Sequence, residues 1–440
     1  MALPKAKQDV TDQTLTQCPA PSGGVWAKAA REAAIGRVAR MGLPVRRDEY
    51  WKFTDPSAWT STDPKYATQT EASSVFDDAE PLTLCFVDGV FDEAASDIAE
   101  LDGLTIEFLS KVDSADLHWA QSVFGVLEGA SNDASAREGA ALFKPVPRPL
   151  AALNTARARE GVLIHVTGTP ARPIRLSYRS VGGQSILHHA VKVERGASVT
   201  LLEEGMPGAR FDTMIEVDVA DEAAFHHLRV QGRVQDVEAM NQIYARLGAA
   251  CTFKSFTLNV DGAATRNEAV IDLMGDTASA HVAGATLGDG AFHHDDTVYD
   301  THAAENCERR QVFKKVLKNG AVGVFQGKIL VQPGAQKTDG YQISQSLLLD
   351  DDSQFLAKPE LEIYADDVAC SHGSTSGAID EDALFYLRAR GVPKDVAQDL
   401  LVLAFMAEAL EEIEDARLAA MVLKVLEAWQ GGGAPSEGER

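Results

Sequence analysis

A repeat constrains this chain more than any other feature. Gly196-Ala197-Ser198-Val199 returns 26 residues later as Glu222-Ala223-Ala224-Phe225, then after 26 as Gly248-Ala249-Ala250-Cys251 and after 27 as Gly275-Asp276-Thr277-Ala278. A weaker echo stands at Gly320-Ala321-Val322-Gly323. Between about 160 and 363 the chain is built of short β-branched runs parted by Gly and Asp turns, such as Val162-Leu163-Ile164-His165-Val166 and Ala190-Val191-Lys192-Val193. A short-strand unit of this length cannot bury its apolar face alone, so stacked units must share one core. The spacing predicts a parallel β-helix or a similar β-solenoid. A jelly roll or sandwich also has many short strands but does not predict a fixed period. With hydrophobic residues at 45%, the core such a stack needs is available.

The flanks have a different texture. Residues 1–23 are polar with scattered Pro and Gly, and read as a flexible tail. Residues 24–150 form an N-terminal helical and mixed region, with helical spacing from Val25 to Met41 and a short strand signal from Leu82 to Val87. Within it, Arg46-Arg47-Asp48-Glu49-Tyr50-Trp51-Lys52-Phe53-Thr54 interleaves charge with aromatics. That pattern suits a binding surface, or, as the favoured reading, a cap that packs its rings on the next domain. The β-helix core is assigned to 151–380. A C-terminal helical domain follows at 381–430, opened by Leu384, Phe385, Leu387 and Arg388, and broken at Gly391-Val392-Pro393. Val396 to Ile413 and Leu418 to Trp429 are amphipathic. Their apolar face is expected to cap the solenoid end, with Glu408, Glu411, Glu412 and Glu414 as an acidic rim for a basic partner. Residues 431–440 read as a flexible tail.

The formal net charge is −24. Phosphate backbones and anionic membrane surfaces need Lys and Arg, so neither nucleic acid nor membrane is an expected partner. The first residues lack the apolar run of a signal peptide. Five dispersed cysteines, at 18, 85, 251, 307 and 370, do not form a disulfide framework, and a reducing cytoplasm is the expected location. No Cys-x-x-Cys pair exists, so this chain alone does not carry a closed zinc site or a ferredoxin-type cluster.

The chemistry concentrates in Asp366-Asp367-Val368-Ala369-Cys370-Ser371-His372-Gly373. Side chains two apart on a strand share a face, so Cys370 and His372 project together. A thiol beside an imidazole suits iron, zinc or sulfur chemistry better than magnesium or calcium. The alternative is a buried Cys with a turn His. A second cluster, His293-His294-Asp295-Asp296 with His302 and Cys307, has metal-ligand types in a spacing that matches no standard zinc pattern. The doublets His188-His189 and His226-His227 read as structural strand histidines. Gly320 to Ile329 lacks the Gly-Lys-Ser/Thr ending of a phosphate loop, because Lys328 precedes Ile329.

Read together, these pieces are recognisable. The segment 320–391 resembles the SufD family, scaffold subunits of the SUF iron–sulfur cluster assembly system. The resemblance rests on Val324-Phe325-Gln326-Gly327-Lys328-Ile329, Ala335-Gln336-Lys337-Thr338-Asp339, Lys358-Pro359-Glu360-Leu361-Glu362-Ile363, Cys370-Ser371-His372-Gly373 and Phe385-Tyr386-Leu387-x-x-Arg390-Gly391. The segment from Arg47 to Thr54 resembles the family's N-terminal element. The sister SufB family usually carries Glu where Ser371 and Gly373 stand, so the SufD form is favoured over a SufB-type scaffold.

The resemblance implies a mainly β fold, a right-handed parallel β-helix flanked by N- and C-terminal α-helical regions. It implies a non-catalytic scaffold, paired with SufB through the β-helix and binding the SufC ATPase through the C-terminal helices. The docking candidates there are Phe385, Leu387, Arg390, Leu400 and Phe405. His372 and Cys370 are the implied assembly-site and metal residues. The cluster would be transient and shared with the partner, and no cofactor is expected on the isolated chain. Two rivals stand beside this reading: a β-helix polysaccharide-acting enzyme, and a self-sufficient metal-binding protein using His293, His294 and His302.

Overall fold

In the computed structural model, two sheets of 11 and nine strands face each other, parallel except for Gln69–Thr70, Val90–Asp92 and Leu104–Phe108, and from Val162 onward successive strands alternate between them. All residues are described except 1–2, 18, 22–23, 62–68, 71–72, 113–114, 133–145, 233, 235 and 431–440. Alternation of this kind is a flattened parallel β-helix, each coil giving one strand to each sheet. In the larger sheet Ser198 pairs with Ala224, then Thr252, Ser279, Glu308, Asp339 and Ala369. The coil therefore grows from 26 residues to about 30 along the chain.

A left-handed corner repeats with the coil. Gly196, Glu222, Ala250, Thr277, Asn306 and Lys337 all have φ between 54° and 70°. Each donates its backbone N–H to the following coil, as Glu222 does to the Ala249 carbonyl at 2.8 Å and Thr277 to Glu305 at 2.9 Å. The sequence repeat placed this corner on Gly248 and Gly275, two residues early. Those glycines serve another purpose: a Cβ on Gly275 would lie 2.1 Å from the Ala249 nitrogen of the coil beside it. Gly320, the weaker echo, starts a strand of the nine-stranded sheet (Val322–Val331) and so marks a different corner.

Beside the repeated corner the interior of the early coils is apolar. Val199, Phe225 and Phe253 are register neighbours, and the two phenyl rings stack at 5.6 Å. The entry end is plugged: Leu82–Val87 pairs with Ile174–Val181, Leu104–Phe108 pairs with Val162–Val166, and Phe86, Phe91 and Phe108 form an aromatic stack.

The flanks cover the two outer faces. On the nine-stranded sheet lies the charged aromatic segment, packing its rings as a cap would. Trp51 stacks on the Arg266 guanidinium at 4.3 Å, and Tyr50 meets Tyr299 edge-on. Thr54 Oγ1 donates to Asp295 at 2.5 Å, and the Tyr50 carbonyl accepts from Gln326 Nε2 at 3.2 Å. Residues 1–23 differ from the expected tail. Lys5–Gln17 is a helix, with Thr11 and Thr14 buried; Lys7 pairs with Asp48 at 2.7 Å and Thr11 accepts from the Leu43 N–H. Its docking side is made of threonines and lysine stems, which composition reads as polar. The expected tail at 431–440 lies outside the described residues.

The C-terminal helices Glu381–Ala389, Lys394–Leu410 and Ala416–Gln430 do not cap the solenoid end. Val402, Met406, Leu410, Ile413, Val422 and Leu426 pack on the outer face of the larger sheet, against Leu228, Val230, Phe256, Leu258, Ala285 and Val316. The acidic turn is tied down by His281 to Glu412 at 2.9 Å and Lys254 to Glu414 at 2.8 Å. Because the flank takes the helices, the last coil is uncovered among the described residues.

Replacing Phe253 by Ala empties the shared core at the stacked ring pair. The expected cost is about 3–5 kcal/mol in urea unfolding followed by circular dichroism. A loss under 1 kcal/mol would mean the early coils are not one packed core.

Candidate functional site at the open end of the solenoid

The last coil differs from every coil before it. Strands Gln354–Ile363 and Ala369–Gly377 are the terminal strands of the two sheets. Val322–Val331, one coil earlier, is buried almost throughout, whereas these two are half-buried or exposed along their whole length. Their outer backbone edges have no strand partner among the described residues. Open edges of this length are normally covered or paired.

Cys370 and His372 sit on that terminal strand, facing the solenoid interior. Cys370 continues the inner column Phe253, Ala280, Arg309, Gly340, and His372 continues Ser255, Val282, Gln311, Gln342. The two therefore share a face, about 7 Å apart along the strand. Gly340 makes room for the thiol, since a Cβ there would stand 3.2 Å from Cys370 Sγ. Ile329, Val331, Ala335 and Ala365 pack beside the sulfur. Burial pushes the thiol pKa above its ordinary value, outweighing the Gly340 backbone N–H that favours the thiolate. At neutral pH Cys370 is a protonated, weakly nucleophilic thiol until a metal ion or a partner's base takes its proton. His372 is exposed. A thiol and an imidazole thus share one open rim, and no group of three His, Cys, Asp or Glu side chains close enough to hold a metal occurs among the described residues.

The second predicted cluster comes apart. His293 faces outward, 3.0 Å from Thr54 Oγ1 under the N-terminal segment. His294 faces inward, held by Lys315 Nζ at 2.8 Å and Asn267 at 3.2 Å. His302 is eight residues further along the same extended strand, about 27 Å away. The three cannot share an ion. Of the two doublets, His227 and His189 point inward and both are buried. Burial lowers the His189 pKa to about 4.

Sequence reading missed the polar interior. Glu203 accepts from Tyr178 Oη at 2.7 Å and contacts His227 at 2.8 Å and Arg229. Arg229 reaches Thr213, Thr213 bonds Asn241 at 2.9 Å, Asn241 bonds Asn267 at 2.9 Å, and Asn267 bonds Asp296, the partner of Lys315. Nearer the open end Asp300 pairs with Arg309 and accepts from Gln311 at 2.6 Å. Burial pushes the Asp300 carboxyl up to about 6 despite that cation, and takes His302 down to about 3. The available signal was alternation: in Ala224–Gln231 the polar residues His227, Arg229 and Gln231 fall on one face and Leu228 and Val230 on the other.

The proposed ATPase-docking residues divide. Phe385 is 74% exposed and Leu400 47%, beside Tyr386 at 57% and Val396. Leu387 is half-buried, and Arg390 stacks on Tyr386 at 3.8 Å. Phe405 is half-buried under Lys314, whose Nζ lies 4.4 Å from its ring centre, so it belongs to the helix–sheet contact.

Removing one member of the buried Asp300–Arg309 pair strands the other. Arg309→Met should cost about 3–5 kcal/mol, and adding Asp300→Asn should return most of it, by chemical denaturation of the three variants. Additive losses would contradict the pairing.

Comparison with known proteins bears on this geometry. Residues 177–405 match the family described as SUF system FeS cluster assembly, SufBD core domain. The chain is 28% identical to the iron–sulfur cluster assembly protein SufD of Escherichia coli, over 91% of this chain and 92% of that one. It is 25% identical to an iron–sulfur cluster assembly SufBD family protein of Synechocystis, over 88% of each. The Bacillus subtilis SufD is 27% identical over 63% of this chain and 66% of its own length. Two of these relatives are named SufD, and the family match spans both the stacked coils and helices on their flank: the chain belongs to the SufBD family of the SUF iron–sulfur cluster assembly system.

Proposed function

We propose that this chain is the SufD-type half of a two-chain scaffold on which an iron–sulfur cluster is assembled, with Cys370 and His372 as its contribution to the shared site. The observation that carries this reading is the uncovered last coil, which presents an inward thiol and imidazole on a strand with a free edge. A second solenoid of the SufB kind, laid against strands 354–363 and 369–377, would supply backbone partners by strand addition. It would also bring the missing ligands to a half-site. The thiol, protonated when alone, would be deprotonated on coordinating iron. The chain itself then needs no catalytic group, and the cluster is cargo.

The exposed patch of Phe385, Tyr386, Val396 and Leu400 is the proposed seat of the SufC ATPase. It is apolar and bound to helices that are themselves clamped on the coils leading to the open end. Movement of the ATPase would thus reach the junction through Lys314, His281 and Lys254 rather than through a flexible linker. The fold and family also fit a SufB-type scaffold; the Ser371 and Gly373 positions favour the SufD type.

Co-expression with SufB and SufC tests the site. The His372→Ala complex should assemble at wild-type yield and lose at least ten-fold in cluster absorbance after anaerobic purification. A mutant complex with a normal cluster would remove His372 from the site. For the helices, the double substitution Phe385→Ser and Leu400→Asp should cut SufC co-purification more than ten-fold while SufB still binds. Unchanged SufC recovery would move the docking surface elsewhere.

A further inference from the structure

Gln342 lies one rung inside His372 and is its register partner. It is fully buried. The side chain spans the interior in a lane left open by Gly327, where a Cβ would stand 1.5 Å from Gln342 Nε2. Gln342 Nε2 donates to Gln311 Oε1 at 2.9 Å, and Gln311 Nε2 donates to Asp300 Oδ2 at 2.6 Å.

The direction of this chain is dictated by chemistry. An ionised carboxylate only accepts, so Gln311 must turn its amino group to Asp300. Its carbonyl then faces Gln342 and must accept, so Gln342 must turn its amino group inward. What is left at the open end is the Gln342 carbonyl. Gln342 Oε1 is buried and has no hydrogen-bond partner. A buried acceptor without a donor costs about 1–3 kcal/mol, and the nearest rung beyond it carries an imidazole.

We infer that Gln342 is a positioning residue for His372: its carbonyl accepts one imidazole N–H and so fixes which ring nitrogen is left as the lone-pair donor to iron. Strand backbones one rung apart are about 4.8 Å from each other, so a rotation of the His372 side chain suffices. A ligating histidine held through its other nitrogen is better oriented and more basic. Asp300 and Arg309 act at a distance, by setting the direction of the two amides. This inference rests on His372 acting at the assembly site, as proposed above, but the hydrogen bond can be tested without any cluster.

The experiment uses the full chain labelled with ¹⁵N-histidine, with His372→Gln to assign the signal. Long-range ¹H–¹⁵N spectra report which nitrogen of neutral His372 carries the proton. In the wild type one tautomer should dominate. Gln342→Leu should return His372 to the mixture of a solvated imidazole, whereas Gln342→Glu, kept protonated by burial so that its O–H donates to Gln311 and its carbonyl still accepts, should retain the wild-type tautomer. If the Leu variant folds poorly, the Glu variant alone decides, because a tautomer lost with the acceptor still present overturns the inference. An identical His372 spectrum in wild type and Gln342→Leu overturns it equally. In the SufB–SufC complex, Gln342→Leu should lower cluster loading about ten-fold and Gln342→Glu should restore it. A His372 tautomer that follows Gln342, in a complex that loads normally with His372→Ala, would leave the hydrogen bond standing and remove the functional reading.

Discussion

The structure depends on one constraint: a coil of a parallel β-helix cannot satisfy itself. Its backbone groups, its inner side chains and its left-handed corner all look to the next coil for partners. The corners show this most plainly. Glu222, Ala250, Thr277, Asn306 and Lys337 each accept a backbone conformation disfavoured for a side-chain-bearing residue. Each does so to reach the carbonyl of the coil that follows. Applied to the last coil, the same rule leaves an edge and an inner face, bearing Cys370 and His372, without a following coil among the described residues.

The flanking elements sharpen that outcome. Helices that could have closed the end are drawn to the side, because Leu228, Val230, Phe256 and Leu258 turn an apolar face outward there. The inner face of the same strands is apolar near the corner and polar beyond it, as Phe225 gives way to His227, Arg229 and Gln231. Glu203, Arg229, Asn241, Asn267 and Asp296 are bonded to one another in a water-poor interior, where each would be costly alone. Such a network specifies register: slipping one coil by a residue would bury several charges unpaired. A second polar chain nearer the rim, Asp300, Gln311 and Gln342, reaches the rung next to His372.

Much of this was legible in the residues. The period, the parallel stacking and the shared face of Cys370 and His372 all follow from strand geometry. The exact corner was not, because the repeat is aligned on Gly248 and Gly275, two residues before Ala250 and Thr277. The N-terminal helix escaped for a related reason: Thr11 and Thr14 count as polar in composition but are buried by contact. The grouping of His293, His294 and His302 failed on elementary length, since eight residues of extended chain separate ligands that are near in sequence. Whether helices cap or flank a solenoid is decided by which face of each strand is apolar, and that needs the corner positions first.

The central claim is that the last coil is an interface awaiting a second solenoid. Amide hydrogen exchange, compared for the chain alone and with SufB, tests it most directly. The account predicts strong new protection in 354–363 and 369–377, with the early coils unchanged. Protection confined to the helices or to the plugged end, with the amides of Ala369–Gly377 still exchanging freely, would contradict it.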